Sequence, residues 1–317
     1  MAAALFLTYR CNNNCFMCHT LDVARERNRK GLREMDGTGL NRLSDGFADL
    51  GVSVLSLTGG EPLLHPDIID IITHARARGL IVHLNTNGML VDEAMAERLV
   101  KAGLDSVNLS LDGAVAETHD RLRRTRGGFA KIEGAIANFR KARRRARDLT
   151  INVVSVVSSE NLPELPAIVA LAKRWGADAI GLMPAQFFAL PEMQPKGDSG
   201  MTPGHLEMLD GFLAELKDDP FVDSSEDYLG LFRDCLTGRP SPLQCVAGYH
   251  MLTVDCFANV YRCFPFGLMG VEPHPLGDLT LPEWWASREG QGLREEAAAC
   301  HACYWNCHTE VNLMLQR

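Results

Sequence analysis

Short apolar runs alternate with amphipathic stretches from the start of the chain to about residue 185. The runs are Ala4–Thr8, Ser53–Thr58, Leu80–Leu84, Ser106–Leu111, Ile151–Val157 and Ala179–Met183. They are β-branched or leucine-rich without in/out alternation, the pattern of parallel strands covered on both faces. Helical periods lie between them. The clearest sets Phe129, Ile132, Ile136 and Phe139 on one face, opposite an arginine-rich run. Asn161, followed by Leu162 and Pro163, predicts a helix start, and Gly176 predicts its end, giving a helix over Glu164–Trp175. Repeated strand–helix units predict an α/β fold built on a partial (β/α)6 TIM-like barrel, short of the full eight units. In such sheets ligands sit at the C-terminal ends of the strands.

Residues 186–240 change character. Pro, Gly, Met and Asp become frequent, one helix is predicted over His205–Leu216, and the segment reads as a connector and lid. Residues 241–317 are rich in cysteine, glycine and aromatics and poor in long periodic elements, as in a small domain stapled by metal. The expected division is therefore 1–185, 186–240 and 241–317. Of the 317 residues, 46% are hydrophobic and 23% charged, enough to bury a core, and the net charge of −8 argues against a nucleic-acid partner. No stretch approaches the ~20 apolar residues of a membrane helix. The N-terminus reads as a strand and not an export signal, so the expected compartment is the cytoplasm. In that reducing compartment, ten cysteines point to metal.

Cys11, Cys15 and Cys18 follow directly on the first predicted strand. Thiolates are the ligands of iron–sulfur clusters. Three thiolates on a four-iron cubane leave one iron open, the mark of a reactive site as opposed to a structural one. The alternative is a Cys3His zinc site using His19, whose adjacency to Cys18 would strain a tetrahedral ion. The CX3CX2C spacing, with Gly59-Gly60-Glu61-Pro62 closing the second strand, Asn85-Thr86-Asn87-Gly88 the third and Ser110-Leu111-Asp112-Gly113 the fourth, resembles the radical S-adenosylmethionine (SAM) superfamily across residues 4–185. The resemblance implies a [4Fe–4S] cluster on Cys11, Cys15 and Cys18, with SAM on the open iron. It places the SAM amino group at Gly59, Gly60, Glu61 and Pro62, and assigns Asn85 and Asn87 to the cofactor site. Ser110 and Asp112 would face the ribose, and Phe16 the adenine, with Met183 and Gln186 nearby. Arg123 would steady the carboxylate, although Arg121, Arg124 and Arg126 compete for that role and a solvated basic turn is the alternative.

Cys245, Cys263, Cys300, Cys303 and Cys307, with Gly277-Asp278 and Trp284-Trp285 between them, resemble the SPASM/twitch extension of the same superfamily. That resemblance implies one auxiliary [4Fe–4S] cluster on Cys245, Cys263, Cys300 and Cys303, with Cys307 as the substitute ligand; a structural zinc ribbon is the alternative. Cys256 stands where the extension usually has glycine. It is either a core cysteine or a hydrogen donor to a substrate radical, and Cys235 offers the same choice. The implied activity is reductive cleavage of SAM to a 5′-deoxyadenosyl radical that abstracts hydrogen from substrate. With the first strand beginning almost at residue 1, no leader-binding domain is expected. The expected substrate is therefore a small molecule, such as a sugar or aminocyclitol undergoing dehydrogenation or epimerisation. The alternatives are a SPASM maturase of ribosomal peptides and a non-catalytic zinc-binding scaffold. The runs Arg121–Arg126 and Lys141–Arg147 are either solvated helix faces or a dock for an acidic electron donor such as flavodoxin or ferredoxin.

Overall fold

The computed structural model describes residues 1–145, 148–186, 199–301 and 304–316. Strand β1 (Ala2–Thr8) leads to α1 (Thr20–Arg29) and α2 (Gly37–Asp49). Next come β2 (Val54–Gly59), α3 (Ile68–Ala77), β3 (Ile81–Thr86), α4 (Glu93–Ala102), β4 (Ser106–Ser110), α5 (Ala116–Arg123) and α6 (Gly128–Arg145). The barrel region ends with β5 (Thr150–Val157), α7 (Leu165–Trp175) and β6 (Ala179–Pro184). Each apolar run is thus a strand, to within two residues. Beyond β6 lie α8 (Pro203–Leu216), α9 (Glu226–Gly230), α10 (Phe232–Leu236), β7 (Met251–Val254), β8 (Asn259–Tyr261), α11 (Phe264–Met269), β9 (His274–Pro275), α12 (Leu281–Ala286), α13 (Arg288–Ala298) and α14 (Asn306–Leu315).

The strands form one sheet in the order β6-β5-β4-β3-β2-β1-β7-β8-β9. Strands β1 to β6 are parallel, giving the partial barrel. β7 pairs parallel with β1 on the side away from β2, from Ala2↔Met251 to Leu5↔Val254, and β8 and β9 follow antiparallel. The cysteine-rich region therefore extends the barrel's own sheet. It is also more regular than its composition suggests: a Thr280–Glu283 capping box opens α12, and Ser287 caps α13.

The strands do alternate, contrary to the sequence reading. Along β3 and β4, buried apolar residues (Val82, Leu84; Val107, Leu109) interleave with half-buried polar ones (His83, Asn85; Ser106, Asn108, Ser110). The helices cover one face, and on β3 and β4 the opposite face carries the polar residues into the barrel interior. Helix α6 shows the outer packing: Ile132, Ala135, Ile136, Phe139 and Ala142 are at most 1% exposed, each large side chain contributing about 1.5–3 kcal/mol. Asn161 stands at the start of the 3-10 turn Leu162–Glu164 that leads into α7, as expected, but its side chain makes no capping bond. Its side chain accepts from Ser158 N at 2.8 Å and donates to the carbonyls of Asp112 and Val156, stitching β4 to β5.

Candidate active site

A cavity of 520 Å³ runs from the C-terminal ends of the barrel strands down the barrel interior. The loop carrying Cys11, Cys15 and Cys18 forms one stretch of its wall, and all three thiols line it. Glu34 anchors the residues just before Cys11, accepting from Thr8 Oγ1, from Tyr9 N at 2.8 Å and from Arg10 Nε at 3.1 Å. The end of β2 fixes the same segment from the other side, through Gly60 N to Thr8 O and Glu61 N to Arg10 O, both 2.8 Å. This approach requires the two glycines. A Cβ on Gly59, whose φ is +139°, or on Gly60 would sit 2.2 Å from the carbonyl oxygen of Thr8 or Arg10 respectively. Both also line the cavity.

Each thiol has a polar neighbour. Asn13 N lies 3.4 Å and Asn87 Nδ2 3.9 Å from Cys11 Sγ, Arg123 Nη1 is 3.9 Å from Cys15 Sγ, and Thr20 Oγ1 is 3.2 Å from Cys18 Sγ. Burial pushes the Cys11 thiol up to about 12. It pushes Cys15 to about 11, against the opposing pull of Arg123. Thiolates here need a cation beyond the protein's own, as metal ligation supplies. Among the described residues no three His, Cys, Asp or Glu side chains converge on a single ion-sized point; a cubane spreads its thiolates over separate irons. Asn13 is 5% exposed and lines the cavity with its Oδ1 unpartnered. The donor set fits a cluster.

The remaining expected site residues divide into two groups. Asn85, Asn87, Ser110, Arg123, Met183 and Gln186 line the cavity; Phe16, Glu61, Pro62 and Asp112 do not. Phe16 ties the loop to α5 by donating N–H to Leu122 O at 3.2 Å. Glu61 is fully buried and accepts from Leu63 N, Thr86 Oγ1 and Asn87 N at 3.1, 2.7 and 2.8 Å, bracing the β2 loop against the β3 loop; burial raises its carboxyl to about 7. Pro62 opens the 3-10 turn that follows. Asp112, also fully buried, accepts from Val156 N at 2.8 Å and pairs with Arg123 Nε at 2.5 Å. Burial opposes the charge on Arg123, but Asp112 and then Cys15 more than offset it and raise the guanidinium above its ordinary value. Arg121 points away, to Glu160. Gln186 Oε1 accepts from Tyr304 N at 2.8 Å, linking β6 to the C-terminal region.

Several cavity residues escaped the sequence reading. Ser56, His83 and Asn108 line its inner wall, and Met251, Trp305 and Asn306 reach it from the C-terminal region. The signal for the first group was present, as polar residues at every second strand position; nothing local marks the second. Among the C-terminal cysteines, the Cys300 thiol lies close enough to Cys245 to add to its burial-driven upward shift, and Cys245 packs against a cluster containing Cys263. Cys303 lies outside the described residues. Cys307 opens on the main cavity, 3.8 Å from Met251 Sδ. Cys256 is 0% exposed in the main apolar core and does not line the cavity; its surroundings are those of a packing residue. The basic run on α6 is spent locally: Lys141 pairs with Glu93, and Arg143 and Arg145 pair with Asp178 and Glu97 at 2.5 Å each. These pairs lower its value as a dock for an acidic electron donor, because most of its charge is already met.

Known proteins agree with this geometry. The model of the radical SAM superfamily matches residues 5–172. The AdoMet-dependent heme synthase of Methanosarcina barkeri is 27% identical over 296 residues, spanning 89% of this chain and 81% of its own. The PqqA peptide cyclase of Xanthomonas campestris pv. campestris (strain B100) is 33% identical over 191 residues, 59% of this chain; the match spans about half of the cyclase, 48%. The structure of native anSMEcpe with bound AdoMet and Kp18Cys peptide superposes with a TM-score of 0.68 at 18% identity, covering 93% of this chain and 83% of that one. With three loop thiols on a partial-barrel cavity and a family match over more than half its length, the chain belongs to the radical SAM superfamily, whose members are enzymes.

Proposed function

We propose that this enzyme cleaves SAM on a [4Fe–4S] cluster held by Cys11, Cys15 and Cys18 and modifies a peptide. The expectation of a small-molecule substrate, undergoing dehydrogenation or epimerisation, is overturned by the peptide cyclases, which match at 33% identity over 59% of the chain. The fold, moreover, is one on which anSMEcpe was solved with a peptide. The observation that carries the reading is the shared cavity, with three thiols at one end and a wall that holds no Asp, Glu or Lys among the described residues. A peptide segment presents uncharged amides to such a wall. A tetrapyrrole of the kind named for the heme synthase relative carries carboxylates, and among the described wall residues the one Lys or Arg is Arg123, which this reading gives to the carboxylate of SAM.

When bound, the cluster would supply the electron that splits SAM and so generates the hydrogen-abstracting radical. The chain's own residues do the rest. Glu34 and the Gly59–Gly60 backbone hold the thiol loop in place. Arg123 presents a fixed cation beside Cys15, suited to the carboxylate of SAM, and Ser110 offers a hydroxyl on the same wall. Met17, Met251 and Trp305 supply apolar surface that excludes water from a reactive intermediate. An auxiliary cluster on Cys245, Cys263 and Cys300, with Cys303 as fourth ligand, is supported by the closeness of Cys300 to Cys245 and by the packing of Cys245 against the apolar cluster that includes Cys263.

The test is anaerobic turnover with SAM, reductant and a panel of deuterated peptides, following deuterium into 5′-deoxyadenosine together with peptide mass. Transfer from a peptide supports the reading. Transfer from no peptide, while a non-peptide substrate delivers deuterium, would sink it.

A further inference from the structure

The inner wall of the barrel carries a polar ladder that the thiol loop does not use. Ser56 on β2 stands in register with His83 on β3, His83 with Ser106 on β4, and Asn85 with Asn108. Asn85 Nδ2 donates to Ser56 Oγ at 2.8 Å, and Asn108 Nδ2 donates to Asn85 Oδ1 at 3.1 Å. His83 Nδ1 and Ser106 Oγ share a hydrogen bond of 2.6 Å. Asn108 is level in turn with Asn152 on β5, whose Oδ1 is buried without a partner. Ser56, His83, Asn85 and Asn108 all line the cavity. At ~3.3 Å per residue, Ser56 lies ~10 Å along β2 from Gly59, a separate zone from the thiols. Across from it on β1, Ala2 and Ala4 reach no further than Cβ, which leaves the space open.

The chemistry of this zone is narrow. No Asp, Glu or Lys lines the cavity among the described residues, and burial holds His83 neutral by pulling it down to about 4. The wall's Arg123 stands beside Cys15 at the thiol end, so a charged group held against the ladder would lose its water without a counter-ion. An apolar group would strand the asparagines' unused donors and acceptors. An amide matches them, one donor and one acceptor at a time.

We infer that this ladder is a second subsite, taking an uncharged amide of the substrate, with Asn108 and Asn85 setting that specificity in place of the cofactor contact that the resemblance implies for Asn85. The inference rests on the peptide reading above and deepens it. The amide comes from either a side-chain carboxamide or the peptide backbone. Three capped probes separate these: the N-acetyl methylamides of asparagine, aspartate and leucine, near-isosteric but neutral-polar, charged and apolar. Binding is measured by saturation-transfer NMR and calorimetry on reconstituted, SAM-loaded protein at pH 7.

The asparagine probe is expected to bind at least about tenfold tighter than the aspartate probe. If leucine matches asparagine, the backbone amide is the group read; if leucine falls with aspartate, the carboxamide is. Asn108→Leu is expected to weaken the favoured probe by about tenfold or more. Asn108→Ala, which leaves room for a water, serves if the larger change lowers the melting temperature. Equal binding of asparagine and aspartate probes, or binding indifferent to a folded Asn108 variant, overturns the subsite. These measurements use no precursor peptide. Failure of every peptide in turnover with Asn108-dependent amide binding intact removes the peptide reading alone.

Discussion

The Asp112–Arg123 pair separates a structural carboxylate from a ligand-binding one. Asp112 resembles a ribose contact by its place after β4, yet its side chain is 0% exposed, its oxygens face Val156 N and Arg123 Nε, and it is absent from the cavity wall. Asp112→Asn keeps an oxygen for Val156 N, removes the charge and turns an N–H donor toward Arg123 Nε. Arg123, 12% exposed, is then left with a cation whose nearest remaining partner is the Cys15 thiol at 3.9 Å. Breaking one side of a buried pair costs about 3–5 kcal/mol, and the edge of Arg123 that reaches the cavity places this case near ~3 kcal/mol. For a chain of this length that corresponds to roughly 5 °C in melting temperature. Arg123→Met added to Asp112→Asn should recover some of the loss, because no unpaired charge remains. SAM affinity, measured by calorimetry, should fall similarly in Asp112→Asn and Arg123→Met, and no further in the double variant, since the carboxylate acts through the guanidinium. A loss below ~1 kcal/mol for Asp112→Asn, or additive losses of SAM affinity, would refute this account.

Other outcomes follow from the same geometry. Gly60→Ala should cost ~2–4 kcal/mol in urea unfolding, because its Cβ would meet Arg10 O at 2.2 Å and break the pair of backbone hydrogen bonds that ties Gly60 and Glu61 to Thr8 and Arg10; Gly134→Ala in α6, with nothing within 4 Å, should instead gain ~0.5–1 kcal/mol. Burial, assisted by Arg123, pulls His119 down from 6.5 to about 4, so its neutral form stabilises the fold above pH 6.5 and the contribution is lost as pH falls toward 4. In His119→Asn the melting temperature should fall less steeply over that window than in the parent, and an unchanged slope would contradict the assignment. Alanine at Cys11, Cys15 and Cys18 together should remove about four iron atoms per chain from the anaerobically reconstituted protein. Retention of all the iron would place the cluster elsewhere.

The strands, the thiol loop and its glycines were legible because each has a local cause. Each strand keeps an apolar set facing its helices, CX3CX2C is a spacing within eight residues, and Gly59 and Gly60 stand where backbone meets backbone at 2.2 Å from any added Cβ. What depends on packing between distant segments was not legible. The sequence leaves Cys256 between core residue and hydrogen donor and makes Cys307 a substitute cluster ligand, yet the first is sealed in the core after β7 and the second opens on the cavity. Glu61 and Asp112 sit in motifs that suggest ligand contact, but the fold turns both carboxylates inward, onto backbone N–H groups and Arg123.

The polar interior lies between these extremes, and the reason bears on substrate. His83, Asn85, Ser106, Asn108 and Asn152 interrupt otherwise apolar strands at every second position. A strand covered by helices on both faces has no reason to carry them, because buried amides stabilise little and cost much when unpaired. A barrel that stops at six strand–helix units does not fill its centre, and the residues facing that space answer to a ligand as well as to each other. Their spacing was therefore a statement about function written in the strands themselves. It was obscured because the strands' leucines and valines, facing the helices, dominate any average over the run.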